Sequence, residues 1–303
     1  LGMARSAAAI WKRHRMMYAL LLPGILYFTL FKYVPMGGIA IAFKQYRLAD
    51  GIWGSPWVGM ANFQRFFDGV YFWQILRNTV LISVYELAFG FPAPIVLALM
   101  LNEVRVAWFK RLVQSVSYIP HFLSWVIIYG LLIAFLSPGE GLFNLILARF
   151  EVPAISFLTE PEWIRAIIVG SDVWHEIGWG AIIYMAALTG IDPSLYEASR
   201  VDGATRWSQL WHITLPGIRN VIVLMLILRL GKVLDVGFDQ VFMMLNNFNR
   251  EKADIIETWV YRAGLQEMQL GLATAVGLFK SVIGFALIVG ANRIAKKYDG
   301  QIW

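Results

Sequence analysis

Six apolar stretches dominate this chain, each near the ~20 residues a helix needs to cross a bilayer's hydrocarbon. They cover roughly 16–43, 74–101, 112–136, 164–189, 218–245 and 272–293. Backbone N–H and C=O groups in hydrocarbon must be satisfied within the segment, which a helix does. The expected fold is therefore an all-α membrane protein, a polytopic bundle of about six transmembrane helices. Charged residues make up only 15% of the 303 positions, where soluble domains run near ~25%. Lys32, Pro35, Gly37 and Gly38 interrupt the first stretch, which reads as one span with a re-entrant or tilted end.

Basic residues between the spans set an orientation. Arg5, Lys12, Arg13, Arg15, Arg105, Lys110, Arg111, Arg200, Arg206, Arg219, Arg293, Lys296 and Lys297 fall on one side. Lys44, Arg47, Arg65, Arg149, Arg165, Arg250, Lys252 and Arg262 fall on the other. The excess predicts that both termini, and the 190–219 loop, are cytoplasmic. Such a face accounts for the net charge of +6 through attraction to anionic membrane lipid, with no call for nucleic acid. The chain has no cysteine, which excludes disulfide and thiolate chemistry. The basic amino end runs into a span without a small-residue cleavage site, so no cleavable signal is expected.

The polar loop between the fourth and fifth spans is rich in punctuation. Asp192-Pro193 fits a helix N-cap with proline in the first turn. Gly203 suits a stop with positive φ. Thr205 fits a second cap, after which Trp207, Leu210 and Trp211 share a face, and Pro216 is expected to end that helix. An ordinary helical hairpin is the bland reading. However, Glu197-Ala198-Ser199, Asp202-Gly203 and Ile213-Thr214-Leu215-Pro216 closely resemble the cytoplasmic "EAA" loop of the transmembrane subunits of ATP-binding-cassette importers. That resemblance implies a coupling loop over 190–217 that docks into a separate ATPase, with Glu197, Ala198, Ser199, Asp202, Gly203, Ile213, Leu215 and Pro216 at the junction. Ser199 departs from the alanine most usual at its position.

The resemblance covers nearly the whole chain. Pro35-Met36-Gly37-Gly38, Trp53 through Gly59, Asp235 through Gln240 and Gly277 through Ser281 look like oligosaccharide and polysaccharide importer permeases, most of all the permease of alginate-oligosaccharide importers. The implied organisation is a basic arm (1–15) and one transmembrane domain (16–303) in a bacterial inner membrane. The implied partners are a second homologous permease, two ATPases carrying ATP and Mg, and an extracytoplasmic solute-binding protein. The implied mechanism is alternating access.

Enzyme chemistry finds little footing. No G-x₄-G-K-[ST] phosphate loop occurs, so no bound nucleotide or other cofactor is expected on this chain. His14, His121, His175 and His212 are scattered without H-x₃-H spacing, and no metal site is expected. G-x-S-x-G is absent as well.

Charges inside spans cost ~2.5–3.5 kcal/mol each at mid-helix on insertion scales and therefore point inward. On one continuous helix, Arg229, Lys232, Asp235 and Asp239 share an arc, as do Asp172, His175, Glu176 and Trp179. With Trp174, these form a candidate saccharide path of polar groups beside flat rings. Local pairing of Lys232 with Asp235, or Asp172 with His175, is the structural alternative. Arg229 has no acidic residue within four positions and is expected to remain available to a substrate carboxylate, the alternative being a structural pairing with Glu86 or with the partner permease. Glu86 reads as a structural partner for a base. A proton relay through Asp172, His175 or Asp239 would instead mark an ion-coupled secondary sugar transporter. The aromatic run 50–73 reads as an interfacial anchor, and 137–163 and 246–271 as capping loops.

Overall fold

A computed structural model describes the backbone of residues 2–296 and the side chains of 14–294 and 296. Lys297 and the side chains of Arg5, Lys12 and Arg13 lie outside the described residues. The fold is helical, and the described residues hold no strand beyond an isolated Lys44–Trp57 bridge. The longer helices are α1 (Gly2–Phe28), α2 (Phe72–Tyr85), α3 (Pro92–Glu103), α4 (Ala107–Tyr118), α5 (Trp125–Leu136), α6 (Pro161–Leu188), α7 (Pro193–Val201), α8 (Leu215–Gly231), α9 (Phe238–Met244) and α10 (Leu270–Ala295).

Four continuous helical runs are long and apolar enough to span a membrane: His14–Phe43, Phe72–Glu103, Arg206–Gly231 and Leu270–Ile294. The expected third span is a pair, α4 and α5, bent by 108° near Leu123-Ser124. The expected fourth is α6, 28 residues long and interrupted by charge.

The fifth span departs from expectation. It begins at Arg206, stops at Gly231 and leaves 232–237 outside regular helix. Glycine is a poor helix former, and a Cβ at Gly231 would stand 2.5 Å from Ile288. Gly237, at φ +85°, then starts α9. The arc drawn through Arg229, Lys232, Asp235 and Asp239 on one helix is thereby corrected.

Three wide π-turns have one cause in common. Thr29–Tyr33, Glu86–Gly90 and Leu210–Thr214 each contain the residue four positions before a proline, namely Pro35, Pro92 and Pro216. A proline ring clashes with that carbonyl and offers it no N–H, and the widened turn relieves both. Pro216 therefore sits inside a continuous run and does not end the helix.

The described residues fall into two compact units, 2–68 with 263–278 and 69–262 with 279–296. In the first, Ala42, Phe63 and Ala275 form a small core with Phe43 and Leu278. Trp53 is 91% exposed there, as an interfacial anchor would be, whereas Phe63 and Phe66 of the same aromatic run are core residues. In the second, α6 is the spine. One half packs Ile164, Ile168 and Val169 against Ile82, Val241 and Met244. The other packs Ala181, Tyr184 and Leu188 against Ile95, Ala98 and Ile218. Small residues let helix backbones close up where lipid removes any hydrophobic drive. A Cβ on Gly178 would fall 2.0 Å from the Ser117 carbonyl oxygen. The segments expected as loops contain short helices, Leu142–Ala148, Arg250–Ala253 and Ile256–Tyr261. They are held by buried Asn144 and Asn249 and by a bidentate Arg262–Asp254 pair.

Candidate functional site

The 190–217 loop is built from caps. Asp192 accepts from the Ser194 N–H at 2.9 Å, with Pro193 in the first turn of α7. These bonds hold the Asp192 carboxyl below the usual carboxylate range, the Ser194 backbone bond foremost. At the far end Gly203 has φ +77°, its N–H bonds the Arg200 carbonyl, and the Ala204 N–H bonds the Ser199 carbonyl. This is a Schellman stop. No atom lies within 4 Å of a Cβ built at Gly203, so backbone angle alone demands the glycine. Thr205 caps the next helix by accepting from the Ser208 N–H at 3.3 Å.

Side chains then brace the two arms. Tyr196 and Thr214 share a hydrogen bond of 3.0 Å. Gln209 donates to Ser199 Oγ at 2.9 Å, and Ser199 donates to the Tyr196 carbonyl. Alanine at 199 could do neither. Ile213 and Leu215 are half-buried at the junction with α8, and Pro216 is exposed. Glu197, Ala198 and Asp202 are exposed, together with Val201 (89%) and Trp207 (69%). The outer surface is thus apolar side chains beside a carboxylate, on a braced frame.

The intramembrane charges sort differently from the sequence expectation. Arg229, expected to be available, lies 3.2 Å from Glu86 and 3.5 Å from Asp172. Both carboxylates come from other helices, which local spacing cannot reveal. Asp172, Glu176, Trp179 and Arg229 line a cavity of about 250 Å³ with Phe91 and Pro94. His175 sits behind it, buried. Trp174 faces elsewhere, into an apolar groove with Ile128 and Phe135. Asp235 pairs with Lys280, which also donates to Glu257 at 2.6 Å, and not with Lys232. Lys232 is exposed, lines a second cavity of about 250 Å³ and has no carboxylate partner among the described residues. Asp239 is exposed in the first turn of α9.

The histidines correct the expectation of scatter. His121 and His175 stand with their ring centroids 5.5 Å apart, and Glu176 approaches both.

Comparison with known proteins agrees with this architecture. A family model described as "Binding-protein-dependent transport system inner membrane component" matches residues 90–299. The polygalacturonan/rhamnogalacturonan transport system permease protein YteP of Bacillus subtilis is 49% identical over 289 residues, covering 95% of this chain and 90% of YteP. A crystal structure of a bacterial ABC transporter involved in import of the acidic polysaccharide alginate contains a chain with TM-score 0.90 and 41% identity, covering 96% of this chain and 99% of that one. The bacterial alginate transporter in complex with an alginate pentasaccharide-bound periplasmic protein matches at TM-score 0.90 and 40% identity, covering 97% and 98%.

Proposed function

This chain belongs to the family of binding-protein-dependent transport system inner membrane components, and we propose that it passes an acidic oligosaccharide across the membrane by ATP-driven alternating access. In this reading both termini and the 190–217 loop are cytoplasmic, and the loop docks into one of two ATPases that carry ATP and Mg. A second permease completes the path, and an extracytoplasmic solute-binding protein delivers the sugar. ATP binding closes the ATPases, each draws its permease loop inward, and the bundle opens toward the binding protein.

One observation carries the coupling role. Val201 and Trp207 are held in solvent on a loop whose every turn is capped. Large apolar side chains fixed outward beside Glu197 suit a protein cleft. The acidic cargo is supported by the alginate and polygalacturonan systems named above. Lys232, which has no carboxylate partner among the described residues, suits a sugar carboxylate, and Trp179 offers a flat surface to a pyranose. A cavity of about 250 Å³ falls short of the ~300–1,000 Å³ typical of ligand sites, in keeping with a path shared by two permeases.

Co-purification tests the docking. The ATPase should remain with the wild-type chain through detergent and be lost from Val201→Asp and Trp207→Ala, while Trp53→Ala keeps it. Equal retention by all three variants would contradict the assignment.

A further inference from the structure

We propose that His121, His175 and Glu176 form a site for a borderline divalent metal ion of the Zn²⁺ class, at the bend between α4 and α5. One donor atom from each residue lies within 4.8 Å of the others. The Nδ1 atoms of His121 and His175 stand 3.1 and 2.8 Å from the same oxygen, Glu176 Oε1. Ligands around one ion at ~2.0–2.2 Å are themselves roughly 3–3.5 Å apart, so little movement would seat it.

The tautomer favours a metal. His175 Nε2 lies 3.3 Å from the Leu123 carbonyl oxygen. A carbonyl only accepts, so Nε2 carries the hydrogen, and in a neutral ring Nδ1 presents a lone pair. That Nδ1 belongs to a side chain only 9% exposed and makes no hydrogen bond, although Glu176 Oε1 is near. The buried Nδ1 lone pair and the partly exposed Glu176 oxygen, 2.8 Å apart, repel unless a proton or a metal ion lies between them, and the absence of a hydrogen bond at Nδ1 argues for the metal. A backbone carbonyl on the far ring nitrogen is also the usual outer support of a metal-binding histidine.

The surroundings fix the rings. Trp179 stacks on His121 at 4.4 Å with 3° between planes, and the Trp125 ring lies 4.7 Å from His175. Two imidazoles and one carboxylate suit Zn²⁺, Ni²⁺ or Cu²⁺ over Mg²⁺ or Ca²⁺. An ion there would tie the bend, which carries His121, to α6, which carries the other two ligands. The proposal is independent of the substrate assignment.

Co²⁺ provides the probe. The purified transporter complex, freed of affinity tag and chelator-stripped, should develop visible d–d absorption at one Co²⁺ per copy of this chain, reversed by Zn²⁺. His121→Ala and the near-isosteric Glu176→Gln should each weaken that binding about tenfold or more, and His14→Ala should leave it unchanged. Absence of the absorption in the wild-type complex would overturn the proposal, as would equal affinity in wild type, His121→Ala and Glu176→Gln. Size-exclusion profiles matching wild type would establish that each variant is folded.

Discussion

Gln209 Nε2 donates to Ser199 Oγ at 2.9 Å, so the one residue that departs from the usual alanine of the EAA-like loop joins its two arms. A hydrogen bond of this kind contributes about 1 kcal/mol. Ser199→Ala should loosen the loop by that amount, and Gln209→Ala should add little once Ser199 is gone. Hydrogen exchange of amides 194–204 in the two single variants and the double variant measures this coupling.

Gly203 should tolerate no β-branched side chain. Alanine at φ +77° costs roughly 1–2 kcal/mol, and valine more. Gly203→Val should leave the membrane helices folded by circular dichroism while transport falls sharply. Wild-type transport by Gly203→Val would remove the turn from the coupling account.

Asp192 gives the loop a pH dependence. Its folded carboxyl titrates below the ordinary aspartate range, so its contribution is complete above the unfolded value of ~3.9 and is lost as pH falls through the lower folded value. Loop protection should therefore be flat across neutral pH and decline only in strong acid. Asp192→Asn, which still caps, should retain protection at neutral pH, and Asp192→Ala should lose it.

Arg229 and Lys232 should part company. Arg229→Gln leaves buried Glu86 and half-buried Asp172 without their cation, and because the Arg229 side chain is itself 40% exposed the loss should fall below the ~3–5 kcal/mol of a fully buried pair. The detergent-purified complex should melt lower, and Glu86→Gln in the same chain should restore much of the loss. Lys232→Gln should leave melting unchanged and lower uptake of an acidic oligosaccharide about tenfold relative to a neutral one, the ratio that ~1.4 kcal/mol produces. Equal losses for both sugars would place the carboxylate contact elsewhere.

What was legible in the sequence was local. Asp192, Gly203 and Thr205 announced their turns because capping depends on a residue and its near neighbours. Four continuous spans, the bent pair and the loop between α6 and α8 followed from hydropathy, while the charge-interrupted α6 is not apolar enough to count by that measure. The pairing of Arg229 with Glu86, 143 residues away, was legible only as the alternative to a substrate role, and its approach to Asp172 was not legible at all. The same holds for His121 and His175, which meet only because the chain bends by 108° between α4 and α5. The fifth span was misplaced for a subtler reason: hydropathy continues past Gly231, while a close approach to Ile288 and an ion pair from Asp235 to Lys280 end the helix there.

ATP hydrolysis elsewhere in the complex should drive this chain through Glu197 and its loop. Sugar uptake into proteoliposomes holding the full complex and loaded solute-binding protein, with either lumenal ATP or an imposed proton gradient as the energy source, measures this. The expected results are uptake with ATP alone, no uptake with the gradient alone, and a sharp loss of ATP-driven uptake in Glu197→Ala. Gradient-driven uptake without ATP, or wild-type uptake by Glu197→Ala, would contradict that coupling.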